Sequence, residues 1–165
     1  MFNVGDKVVY PMHGAGIIEA IEEKEILGES QKYYVMRMPV GDMKVMIPMA
    51  KVKNIGLREV VDEDTISEVI DRLANGSPDS SNNWNRRYRA NLDKMKSGDI
   101  HDMADVVRCL MLREKEKGLS TGERKMLDNA RQILISELVL AKEMEESQAF
   151  GLLDEIIFSE SKASG

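Results

Sequence analysis

From Val4 to about Ile55 the apolar positions come in short runs broken by turn-forming residues, and after Asp62 they recur at helical spacing. In the first half, Lys7-Val8-Val9-Tyr10 reads as a strand closed by Pro11, and His13-Gly14-Ala15-Gly16 as a turn. Ile17 to Glu25 and Gln31 to Met38 follow as strands joined around Leu27-Gly28-Glu29. Gly41-Asp42 then leads into Met43–Pro48, which is apolar on both faces. Four or five short strands within about 55 residues predict a small, strongly bent barrel of SH3 or Tudor type.

The second half predicts about five helices. Thr65 and Glu68 suggest a capping box ahead of Ile66, Val69, Ile70 and Leu73, a helix that Asn75-Gly76-Ser77-Pro78 should end. Ser81-Asn82-Asn83 offers caps for a helix running to about Lys96 and stopped by Gly98. Asp99 or Asp102 opens the next, with Ile100, Met103, Val107, Leu110 and Met111 inward. Ser120 and Glu123 form another capping box before Met126, Leu127, Ala130, Ile133, Leu134 and Leu138. Phe150, Leu153, Ile156 and Ile157 mark a last helix, and residues 161–165 should fray. The expectation is an α+β chain of two domains, a barrel over 1–58 and a compact helical bundle over 62–160.

Hydrophobic residues at 42% and charged ones at 32% suffice for packed cores. The single cysteine, Cys109, excludes an internal disulfide and a cysteine-cluster metal site. The start lacks the basic and apolar regions of a signal peptide, and no run approaches the roughly 18 apolar residues of a spanning helix. A cytoplasmic monomer without membrane contact is expected.

The net charge of −6 argues against nucleic acid until its distribution is considered. Residues 84–96 carry five basic side chains and one acidic one, whereas 61–83 and 97–165 are each net −5. Any DNA contact is therefore local and needs a partner's help. The basic block holds Asn83-Trp84-Asn85-Arg86-Arg87-Tyr88-Arg89, with Trp84 the only tryptophan. On a helix, Trp84, Tyr88 and Leu92 share a face and the arginines flank it, an arrangement suited to phosphate and to a base step. The same spacing suits a core aromatic pair with a solvated arginine face, and pattern alone does not separate the two. Arg124-Lys125 places cations in the first turn of a helix, where they fit an exposed pair or a phosphate contact. Lys44 to Pro48 reads more readily as a covered core strand than as a sheet edge open to a protein partner. No Walker loop, dinucleotide fingerprint or zinc spacing appears. His13 and His101 lie in different halves and no nucleophile–base pair suggests itself, so no catalytic residue, metal or cofactor is expected.

Val4-Gly5-Asp6-Lys7-Val8-Val9-Tyr10-Pro11 with His13-Gly14 and Gly16 resembles the opening of CarD/CdnL-type bacterial transcription regulators. Met46-Ile47-Pro48, Ile55-Gly56-Leu57-Arg58, the Trp84 segment and Leu119-Ser120 with Gly122-Glu123-Arg124-Lys125-Met126-Leu127 extend the resemblance over nearly the whole chain. Transcription-repair coupling factors carry a similar first domain, but they are larger helicases and this chain has no ATPase motif. The resemblance implies that the barrel binds the RNA polymerase β subunit through Lys24, Lys44, Val45, Met46, Ile47 and Pro48. It further implies that the helical domain stabilises the open promoter complex at the upstream edge of the bubble. Trp84 would be the minor-groove wedge, with Tyr88 beside it. Arg86, Arg87, Arg89 and Arg124 would hold phosphate, helped by Lys125. Association with the nucleoid would follow through polymerase. Some members have arginine where Met46 stands, which implies a more apolar polymerase contact here. The rival expectation is an interaction module that uses the barrel alone, without DNA.

Overall fold

The computed structural model describes residues 2–76 and 83–163. Its first part is an antiparallel sheet of β1 (Lys7–Tyr10), β2 (Gly14–Ile26), β3 (Glu29–Met38), β4 (Met43–Pro48) and β5 (Arg58–Glu59), ordered β4-β3-β2-β1-β5. A 3-10 turn (Met49–Lys51) and the short α1 (Val52–Ile55) link β4 to β5. Leu27 and Gly28 both have positive φ (53° and 81°), the tight two-residue hairpin that matches strand twist. A register shift between Ile18 and Ala20 bends β2, so that Val8, Ile18, Tyr34, Met36, Met38, Ile47 and Leu57 close on one another as a core. The Tyr34 hydroxyl donates to Phe2 O and accepts from Phe2 N, both at 3.1 Å, tying the start of the chain to the sheet. The expected α+β architecture, a small bent sheet followed by helices, is what the structure has.

The expected turn at His13–Gly16 lies earlier. Residues Pro11 to His13 make it, with Met12 at φ 71°, while Gly14, Ala15 and Gly16 already pair with β1. Gly16 is glycine for a packing reason, because a Cβ there would sit 2.5 Å from the Arg37 carbonyl oxygen.

The helices are α2 (Glu63–Asn75), α3 (Trp84–Lys96), α4 (Ile100–Glu116), α5 (Thr121–Lys142) and α6 (Glu146–Ala163). Their inward residues form one core around Ile66, Leu73, Val107, Leu110, Leu127, Leu134 and Leu153. The first cap departs from the expected capping box: Asp62 accepts from Thr65 N at 2.9 Å, because a carboxylate three residues upstream outcompetes a box centred on Thr65. Asn83 and Asp99 cap α3 and α4 as expected. Ser77-Pro78 and the candidate caps Ser81 and Asn82 lie outside the described residues. Helix α6 extends to Ala163, into the stretch expected to fray, since no proline or glycine lies between Gly151 and Gly165 to stop it.

A joint between the two parts is the feature that positions everything else. The outer surface of β1 and β2 (Val9, Ala15, Ile17) packs against Leu140 of α5. Ser136 Oγ accepts from Ala15 N at 2.8 Å and donates to Ile133 O at 2.6 Å. Arg58 grips Glu137 with two 2.8 Å bonds and also donates to Gly98 O, just past α3. Lys7 reaches Leu140 O at 3.0 Å.

Candidate functional site

Trp84 stands at the first position of α3, where the Asn83 side chain accepts from Arg86 N at 3.2 Å and fixes the helix start. Its ring is stacked on Tyr88, with centroids 4.9 Å apart and planes 17° from parallel. The indole N–H donates to Ser120 Oγ at 3.0 Å, so its polar group is satisfied without burial. Gly122, in the first turn of α5, lies against the pair and leaves room for a methyl group in ordinary van der Waals contact. A Cβ there would be 3.6 Å from Tyr88 and 3.8 Å from Trp84. Trp84 remains 42% exposed, far more than a core tryptophan.

The neighbouring cations divide sharply. Arg86, Arg89 and Lys125 are exposed, and among the described residues no ion pair engages them. Arg124 is exposed as well, and its only described charge partner is Glu114 at 2.9 Å, a surface pair worth little in water. Arg87 is a correction. It is 2% exposed and donates to Glu123 at 2.8 and 3.1 Å, so it is not offered to phosphate. The reason is its place on α3: Arg87, Asn91 and Met95 form the buried stripe at intervals of four. That periodicity was the available signal. Glu123 reaches Arg87 rather than closing a capping box, although its N–H still donates to Ser120 Oγ at 3.2 Å. Burial raises the Glu123 pKa, but the Arg87 guanidinium outweighs it and holds the carboxyl below its usual range.

The sheet offers a second surface about the free edge of β4. Lys44, Met46 and Pro48 stand opposite Arg37, Val35 and Tyr33, of which Arg37 is exposed and Tyr33 half-buried while Val35 is covered. Met46 is 37% exposed, and Lys44 is exposed beside Glu19 at 3.2 Å. Val45 is half-buried toward the core. Ile47 is another correction: its side chain is fully buried against the core, leaving only its backbone at the edge, because strand alternation turns it inward. Lys24 lies on the β2–β3 ribbon two residues beyond Glu22, which faces Tyr33, and so shares the outward side. Tyr33 and Arg37 belong to this surface and were missed, because strand pairing across β3 is not visible in local pattern. Helix α5 covers the β1–β2 part of the same outer surface and leaves the β3–β4 part open.

An open polar cleft of about 770 Å³ lies between α2, α3 and α4. Its charges are spent on one another: Arg72 on Asp105 at 2.7 Å, and His101 between Asp99 and Glu68 at 3.0 and 3.1 Å. Arg108 holds the carbonyls that end α2. Among the described residues no group of histidine, cysteine and carboxylate side chains could hold a metal, and no helix is long and apolar enough to cross a membrane.

Residues 2–61 match the model of the CarD-like/TRCF RID domain, and residues 68–154 that of the CarD C-terminal domain. A Bacillus subtilis (strain 168) protein described as "Putative transcription factor YdeB" is 50% identical over 148 residues, 90% of this chain and 97% of its own length. The solution NMR structure of the 72-residue N-terminal domain of Myxococcus xanthus CarD is 39% identical over 36% of this chain and 79% of its own, with a TM-score of 0.32.

Proposed function

The chain belongs to the CarD family of transcription regulators, and from that premise we propose that it stabilises the open promoter complex. In this reading the outward β3–β4 surface binds the RNA polymerase β subunit, with Lys24, Lys44, Met46 and Pro48 in the contact and the β4 backbone edge available for strand addition. The helical part then lies at the upstream edge of the bubble. There Trp84 wedges into the minor groove, and Arg86, Arg89, Arg124 and Lys125 meet backbone phosphate.

The observation that supports this reading best is the state of Trp84. The chain's single indole is half outside the protein, flat on Tyr88, hydrogen-bonded at its nitrogen and flanked by cations without buried partners. A ring already held in place loses little freedom on binding, where ordering a mobile side chain costs about 0.5–1.5 kcal/mol. Stacking on a base contributes about 1–3 kcal/mol, and about 1.4 kcal/mol is tenfold in an equilibrium. Tethering to polymerase raises the local concentration of this weak contact, so a chain of net charge −6 can act at a promoter while binding free DNA poorly.

The test is a photo-crosslink from a benzophenone amino acid in place of Arg89, in a promoter complex with polymerase. Crosslinks to DNA at the upstream fork are expected, and they should vanish when Met46→Asp removes the polymerase contact. Crosslinks to protein alone would favour the module without DNA contact.

A further inference from the structure

The wedge depends on how its ring is held, and the holding group is a single hydroxyl. We propose that Ser120 is the positioning residue for Trp84, an inference that rests on the wedge reading above. A serine hydroxyl has one donor and two acceptor directions, and here all three are used. It accepts from Trp84 Nε1 at 3.0 Å and from Glu123 N at 3.2 Å, and it donates toward Glu123 Oε1 at 3.4 Å. The direction of the proton is imposed, because Glu123 is ionised by Arg87 and can only accept. With its proton committed to Glu123, the hydroxyl must present a lone pair to the indole.

Arg87 belongs to the same helix as Trp84, so the bonds close a ring: Trp84 to Ser120, Ser120 to Glu123, Glu123 to Arg87 and back through one turn of α3. Two of its four members, Arg87 and Glu123, are sealed from water, and the other two lie at the surface. The ring thus turns buried rigidity into a fixed orientation for an exposed indole. Tyr88 sets the plane of that indole by stacking, and Ser120 sets its rotation within the plane. Without the hydroxyl, the stack alone allows the indole to slide and swing into other side-chain wells.

Glycine and threonine at position 120 separate this role from helix capping. Glycine caps a helix almost as well as serine but offers no acceptor, whereas threonine keeps the hydroxyl. Trp84 is the only tryptophan, so its anisotropy decay in the full chain reports the ring without a label. Ser120→Gly should add a nanosecond depolarising component with little change in melting temperature, and should shorten open-complex lifetime by about two- to tenfold. Ser120→Thr should restore both. An unchanged decay in Ser120→Gly overturns the proposal. So does a faster decay with an unchanged lifetime, provided Trp84→Ala shortens that lifetime; the wedge reading then stands. If Trp84→Ala leaves the lifetime unchanged too, the wedge reading falls and the positioning role falls with it.

Discussion

Arg87 and Glu123 are each about 2% exposed, so both charges have left water and face each other through two hydrogen bonds. Removing one partner takes away a buried counter-charge held at 2.8 and 3.1 Å. Glu123→Ala should therefore cost about 3–5 kcal/mol in urea unfolding, and the double replacement Arg87→Met with Glu123→Leu much less. A small cost for Glu123→Ala would show that water reaches the pair. His101 responds to pH in the opposite sense to a paired carboxylate. Burial lowers its pKa, but the hydrogen bonds it donates to the Asp99 and Glu68 carboxylates outweigh that and raise it above the ordinary 6.5. Its contribution to stability is thus complete below pH 6.5 and lost as pH rises through the raised folded value. The gap in melting temperature between the parent and His101→Gln should be widest in mild acid and narrow toward pH 8. A gap independent of pH would contradict the two-carboxylate cradle. Trp84, Asn83 and the exposed arginines were legible in sequence because caps and aromatic–basic runs are local signals. The fate of Arg87 was obscured by its neighbours, since three arginines within four positions look alike until the buried stripe through Asn91 and Met95 is traced.

Among the elements, β2 and α5 do the most. Strand β2 runs from beneath α5 out to the exposed tip at Leu27, and its first three residues need small side chains where it passes β3 and α5. Gly16→Ala drives a Cβ to 2.5 Å from a backbone oxygen that cannot retreat without breaking the ladder. The loss in denaturant unfolding should be about 1–3 kcal/mol or more, as for other overpacked cores. A neutral effect would mean that the sheet yields there. Helix α5 is buried along most of its length and carries the Ser120 cap at one end and the sheet contacts from Ser136 onward at the other. Strand and helix existence followed from periodicity. The turn before Gly14 did not, because Met12 rather than a glycine takes the positive φ.

At the scale of the molecule, α5 is a strut. Sixteen residues separate Ser120 from Ser136, or about 24 Å at helical rise, and the far end is locked to the sheet through Ala15, Arg58 and Lys7. The outward β3–β4 surface and the indole are therefore held at a set distance, the arrangement that a tethered wedge requires. The two parts were legible from the change in period, but their joint was not. It pairs residues 40 to 133 positions apart, Arg58 with Glu137 and Lys7 with Leu140 among them, and no local pattern announces such contacts. The most direct test is the lifetime of open promoter complexes after a competitor challenge, with polymerase binding measured in parallel. Trp84→Ala should shorten that lifetime about five- to 150-fold, the equivalent of a stacking contact, and leave polymerase affinity unchanged. An unaltered lifetime at full polymerase occupancy would contradict the account.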